Sequence, residues 1–291
     1  MRFYIVDVFA EQKYQGNQLA VLIPDQEISS AEMQQITHEI KFSETSFIVS
    51  DKQANGGYNV RIFTPDVEVP FAGHPSLGTA FIIQQMLEQG KSKHVILNLG
   101  VGQIPVAIAG DAGNELWMQQ KEPSFAKNIA AKTIAEILQI NEHDINNDFP
   151  IQIVSTGLPA VIIPLKTLAA VQKCIVNHEK YRAFLKETGA ANLMIFTTET
   201  LNKNNDLYAR VFVDDTGFFE DPATGSANGN LAAYLLEYNF LNKAKINLSV
   251  EQGYAVRRPS LIKIDAEKVN GKFSIRVGGK VFLIATGQWN R

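Results

Sequence analysis

Short runs rich in β-branched and aromatic residues recur along the whole chain. FYIVDVF, LAVLI, YNVRIFT, HVILNL and IPVAIA lie in its first half, and IQIVS, AVIIP, LYARVFV, INLSV, LIKID and FSIRV in its second. Each reads as a strand. Helical spacing is rarer. SSAEMQQITHEI (29–40) has Ser29 and Glu32 at capping-box spacing, with Met33, Ile36 and Ile40 on one face. A second helix is predicted in FAGHPSLGTAFIIQQM (71–86), where Leu77, Ala80, Phe81 and Met86 sit among good helix formers. Pro75 is tolerated in its first turn, where no intrahelical N–H bond is lost. VGGK (277–280) reads as a tight hairpin between FSIRV and VFLIA.

The pattern is written twice. RIFTPD (61–66) recurs as RVFVDD (210–215), an offset of 210 − 61 = 149, and Phe47 in TSFIV matches Phe196 in MIFT at the same offset. LAVLIP (19–24) matches PAVIIP (159–164) at 140, and GHPSLGTAFII (73–83) aligns with GSANGNLAAYLL (225–236) three residues further out of register. Any one match is what β-branched strands give everywhere; four in the same order point to an internal repeat.

Strand runs with one long apolar helix per half predict an α+β protein. It has two similar domains, each a curved, barrel-like, mostly antiparallel sheet around its Gly-led helix. KEPSFAKN (121–128) is the best candidate for the crossing. This places one domain over 1–120, to which a C-terminal strand near 280–291 can return, and the other over 121–279. If a pseudo-two-fold relates them, both helix N-termini point into one cleft as anion-binding ends.

Composition narrows the function. The chain has 291 residues, 45% hydrophobic and 20% charged, enough for a sizeable core. Its net charge is −3, so no bulk field favours nucleic acid or an anionic membrane surface. No apolar run approaches membrane-spanning length, and MRFYIVDVFAEQ, interrupted by Asp7 and Glu11, does not read as a secretory leader. The single Cys174 excludes an internal disulfide and fits a reducing compartment, so a cytoplasmic location is expected.

The repeat is most informative where it fails. With Phe47 matched to Phe196, Glu44 in FSETSF matches Leu193 in GANLMIF, so one half carries a carboxylate where the other is aliphatic. A carboxylate among apolar neighbours is suited to proton transfer near neutrality; the same stretch also fits a surface glutamate at a strand start. His74 can be a proton donor, an electrophile or a cap for its own helix. In EDPATGSANG (220–229), Asp221 precedes a proline, and Thr224, Gly225 and Ser226 lead into the helix. Hydroxyls and backbone N–H groups there suit a carboxylate or phosphate, or simply cap the helix. GSANG is not the G-x-S-x-G of serine hydrolases. The five histidines show no paired metal-ligand spacing, and neither GxGxxG nor a Walker A loop is present. No metal and no cofactor are expected. Cys174, in a helical stretch outside every glycine motif, reads as core.

GNQLAV (16–21), FSETSFI (42–48), RIFTPDVEVPFAGHPSLGTA (61–80), STGLPAVIIPL (155–165), EDPATGSANGNLAAYL (220–235), EQGYAVRRPS (251–260) and VGGKVFL (277–283) together resemble the phenazine-biosynthesis PhzF-like isomerases. The resemblance runs nearly end to end. It implies the diaminopimelate-epimerase fold, with an active site between two similar domains, and it allows a homodimer. Diaminopimelate epimerase uses one thiol from each half as a two-base pair, which a chain with one cysteine, placed elsewhere, cannot do. The resemblance instead points to Glu44, His74 and Asp221 as catalytic, and to Gly73, Thr224, Gly225 and Ser226 as substrate-binding. It implies a cofactor-free isomerase moving a hydrogen within a small cyclic or unsaturated amino acid; the namesake's substrate is trans-2,3-dihydro-3-hydroxyanthranilate. Gln18, Ser76, Ala160 and Arg257 depart from the family pattern, and the last two bear on the pocket or its rim. A non-catalytic protein binding a small carboxylate is the alternative.

Overall fold

The computed structural model describes residues 1–110, 112–215 and 218–290, with the side chains of Asp215 and Phe218 outside the description. The chain divides into two compact units, one of Met1–Gln119 with the chain from Gly278 onward, the other of Gln120–Val277.

The first unit contains β1 (Arg2–Val8), β2 (Asn17–Ile23), β3 (Thr45–Ile48), β4 (Gly57–Phe63), β5 (Glu68–Val69), β6 (His94–Leu99), β7 (Gly102–Ala109) and β8 (Glu115–Gln119). The second contains β9 (Ser124–Ile129), β10 (Ile151–Ser155), β11 (Pro159–Pro164), β12 (Asn192–Thr197), β13 (Leu207–Asp215), β14 (Phe218–Asp221), β15 (Lys245–Gln252) and β16 (Ser260–Val269). The last strand, β17 (Lys272–Gln288), runs from one unit into the other.

In the first unit β17, β1, β2, β3, β4, β6, β7 and β8 pair in that order, and β8 pairs back onto β17, closing a barrel. Closure removes exposed strand edges. Two of its joints, β2–β3 and β4–β6, are parallel. The second unit repeats the order strand for strand, β9–β10–β11–β12–β13–β15–β16, with the parallel joints again at β11–β12 and β13–β15.

Each sheet wraps a helix. α1 (Ser30–Ile40) lies outside the first barrel against β3 and β4, and Ser29 caps it by accepting from the Glu32 N–H. α2 (Gly73–Ile82) runs inside, packed on β1, β2, β3, β6, β7 and β8. Every residue from His74 to Ile82 is buried, as a helix enclosed on all sides requires. The expected helix through Met86 changes form near its end: the α-helix stops at Ile82 and a π-turn covers Ile83–Leu87. In the second unit α3 (Ala131–Leu138), α4 (Leu168–Lys173) and α5 (His178–Thr188) cover the outer face over Val161, Ile163, Leu193 and Ile195. α6 (Gly225–Glu237) is the wrapped helix, against β10, β11 and β16.

Two sequence expectations require correction. VGGK is not a turn. The reversal lies at Asn270-Gly271, with φ of 51° and 78°, the conformation an Asn-Gly hairpin turn favours. Gly278 sits mid-strand, where a Cβ would come within 2.4 Å of the Leu116 carbonyl. Close strand approach explains the glycine there.

The repeat register also shifts. Phe47 pairs with Arg61 across β3–β4, whereas Arg210 pairs with Ile195 across β12–β13. With Arg61 matched to Arg210, Phe47 corresponds to Ile195, and both belong to clusters on the outer face of their sheets. Phe196 points the other way, its ring 6.1 Å from that of Tyr234 on α6. A one-residue slip reverses faces in a strand. The counterpart of Glu44 is therefore Asn192 (192 − 44 = 148) rather than Leu193. By the same pairing, Glu68 opposite Phe63 corresponds to Glu220 opposite Phe212, and Val69 to Asp221.

No helix among the described residues is long and apolar enough to cross a membrane.

Candidate active site

Glu44 ends the connection between α1 and β3, and His74 is the second residue of α2. The helix start brings the imidazole Nε2 to 3.5 Å from Glu44 Oε2, with the imidazole 5% and the carboxylate 18% exposed. Asn17, the buried first residue of β2, stands behind them. Its Nδ2 lies 3.3 Å from His74 Nδ1, and its Oδ1 accepts from the Ser43 hydroxyl at 3.3 Å. With Oδ1 facing the hydroxyl, the amide presents N–H to the ring. Nδ1 then accepts, and a neutral ring carries its proton on Nε2. At 3.5 Å the approach of Nε2 to Glu44 is a close contact and not a hydrogen bond. The backbone that delivers Asn17 needs a glycine before it: Gly16 has φ +75°, and a Cβ there would meet the Val8 carbonyl at 2.3 Å.

α2 begins at Ala72 with no side-chain cap. Pro75 has no N–H, so Gly73 and His74 carry the amides of the helix start. A partial positive charge resides there.

The second unit holds the other predicted residues. Asp221 ends β14, and the Thr224 hydroxyl donates to its Oδ2 at 2.5 Å. Thr224 occupies the N-cap position of α6, yet its side chain makes no capping bond. Its hydroxyl serves Asp221 instead of the helix. Gly225 and Ser226 are the first two residues of α6, both buried.

A profile described as phenazine biosynthesis-like protein, PhzC-PhzF, matches residues 6–287. The chain belongs to that family. A PhzF-family phenazine biosynthesis protein of Bacillus anthracis has a similar structure, with TM-score 0.88 and 26% identity over 99% of this chain and 98% of that one. The trans-2,3-dihydro-3-hydroxyanthranilate isomerase of Pseudomonas aeruginosa is 29% identical over 99% of this chain and 98% of its own. A probable proline racemase of Agrobacterium radiobacter, 10% identical, shares the fold alone, at TM-score 0.66 over 99% and 92% of the two chains. The fold is accordingly that of diaminopimelate-epimerase-like proteins, and this PhzF-family member is an isomerase.

The structure brings Glu44, His74 and Gly73 together in one unit, and Asp221, Thr224, Gly225 and Ser226 together in the other. Sequence reading missed Asn17, although GNQLAV was among the matching blocks. Ala160 is fully buried on β11 and pairs with Asn192. Arg257 is exposed, with φ +59°, in the left-handed region that a glycine adopts without strain. Cys174 packs in the outer core of the second unit and donates to the Ala170 carbonyl; burial pushes its thiol up to about 12.

Proposed function

We propose that this PhzF-family isomerase moves a hydrogen within a small cyclic or unsaturated amino or carboxylic acid by carboxylate acid–base catalysis, without a cofactor. The observation that carries the reading is the Glu44–His74–Asn17 arrangement. The fold holds the Glu44 carboxylate beside a buried imidazole against which Asn17 is set, and this makes Glu44 the group placed to take a proton. Glu44 accepts the proton from one carbon while the C–H electron pair moves into the adjoining unsaturated system. The carboxylic acid so formed returns the proton to another carbon, and the substrate's composition is unchanged. Negative charge developing on the substrate is met by the amides of Gly73 and His74, a preorganised electrostatic contribution.

Asp221 is assigned to an amine or hydroxyl of the substrate, and the uncapped start of α6, with Gly225 and Ser226, to its carboxylate. The substrate class follows the relative named for trans-2,3-dihydro-3-hydroxyanthranilate, a cyclic amino acid with ring unsaturation. The cytoplasm is the proposed location, on the lone buried thiol.

A thermal-shift screen of cyclic and aromatic amino acids, with NMR of each hit incubated in D₂O, tests the reading. Isomerisation or deuterium entry at carbon is expected. A ligand that raises the melting temperature with neither, in the presence of active-site residues intact by sequence, makes the protein a binder of small carboxylates.

A further inference from the structure

Gln252, the last residue of β15, is fully buried under the turn that carries Asp221 into α6. Its Oε1 accepts from the Thr224 N–H at 3.3 Å and from Asn228 Nδ2 at 3.1 Å. Its Nε2 donates to the Asp221 carbonyl at 2.8 Å and to Thr224 Oγ1 at 3.1 Å. Both amide hydrogens and both lone pairs are thereby used. The orientation has one solution, because a backbone N–H only donates and a backbone carbonyl only accepts. Thr224 Oγ1 receives an N–H from Gln252, so its single proton goes to Asp221 Oδ2. Gly253 lets the strand end press on the same turn: with φ +81°, a Cβ there would lie 2.5 Å from the Pro222 carbonyl.

We propose that Gln252 is a positioning residue for the isomerase reaction. Through Thr224 it holds the Asp221 carboxylate as a fixed hydrogen-bond acceptor for the amine or hydroxyl of the substrate. The inference rests on the reading of Asp221 as a site residue. Asp221 touches the substrate; Gln252 acts only through the turn. A residue that merely braced α6 would need none of this ordering of hydroxyl and carboxylate.

The test is a mutant cycle on the full chain, with trans-2,3-dihydro-3-hydroxyanthranilate as substrate. Gln252→Met, close in volume and without polar hydrogens or lone pairs of comparable strength, is expected to lower kcat by about 10- to 100-fold, the scale of a misplaced catalytic group. In an Asp221→Asn background the same change should alter kcat by less than about twofold, because its route to the substrate is already cut. Equal losses in both backgrounds, or kcat within twofold of wild type for Gln252→Met, overturn the inference. Should Gln252→Met fail to fold, Thr224→Val runs the same cycle with the same criteria. Silence of both Glu44→Gln and Asp221→Asn instead marks failure of the proposed function. If that compound is not turned over, the crystal structure of the Gln252→Met or Thr224→Val protein decides: a displaced Asp221 carboxylate supports the inference, and an unmoved one ends it.

Discussion

At the scale of single residues, Glu44 and His74 are thirty positions apart in the chain, and the fold sets their side chains 3.5 Å from each other. Glu44→Gln keeps the side chain's size and removes only the proton-carrying oxygen. Turnover should fall by about 10²–10⁴-fold with the circular dichroism spectrum unchanged; activity within threefold of wild type would sink the assignment. Asn17→Leu removes the donor to Nδ1 while roughly conserving volume. The ring is then free to carry its proton on either nitrogen, and kcat should drop by about tenfold, in the range of a lost orienting bond. Equal kcat would mean that Asn17 only fills space. Cys174 behaves oppositely. Its thiol, 3% exposed and held up to about 12 by burial, is protonated at ordinary pH. Ellman's reagent at pH 8 should leave the native protein unlabelled and react with one thiol per chain in denaturant, and Cys174→Ala should keep full activity. Glu44 was legible from the FSETSFI block that carries the family resemblance, whereas the repeat comparison that also singled it out was one residue out of register. Asn17 was not, since its role depends on an imidazole 57 positions away, and an asparagine after glycine reads equally well as a turn.

At the scale of elements, the two units carry the same arginine–glutamate pair in different surroundings. Arg61 and Glu68 are 29% and 40% exposed, whereas Arg210 and Glu220 are 10% and 9% exposed. Arg210 also donates to the carbonyls of Val171 and Cys174 at the end of α4, which favours a cation there. Arg61→Met should cost less than about 1 kcal/mol in urea unfolding, as exposed pairs do. Arg210→Met strands a buried carboxylate and should cost about 3–5 kcal/mol. Similar losses for the two would mean that burial does not set the difference. The strands themselves were readable because β-branched runs are their direct signature. The VGGK turn was misread because two adjacent glycines suit either a hairpin or a place where strands crowd together. Only the Leu116 carbonyl, far away in sequence, selects the second. The Asn-Gly nearby was the stronger signal and was passed over.

At the scale of the whole molecule, the repeat was visible in sequence but not its register. Matching Phe47 to Phe196 aligns two similar side chains that point to opposite faces, and only the pairing of each strand with its arginine-bearing neighbour reveals the slip. The correction changes the partner of Glu44 from an aliphatic to an amide, and it leaves the chemistry asymmetric. Asn192 cannot accept a proton from carbon near neutrality, and Val69 stands where the other unit has Asp221. Each unit thus carries one of the two candidate carboxylates, and their surroundings are not equivalent. Glu44 faces an imidazole; Asp221 is held by a hydroxyl that a buried amide orients. A single base that removes a proton can return it only on the face from which it came. The hydrogen should therefore migrate along one face of the substrate with Glu44 as its carrier. A substrate deuterated at the migrating position, followed by NMR of the product's stereochemistry, distinguishes the cases. Label retained in part and delivered to the same face is the expected result, while partial washout reflects exchange of the carboxyl with water. Delivery to the opposite face requires a second base. In that event the Asp221→Asn protein, which should still transfer label on the original face if Glu44 acts alone, would lose the transfer altogether, and the one-carboxylate mechanism would have to be abandoned.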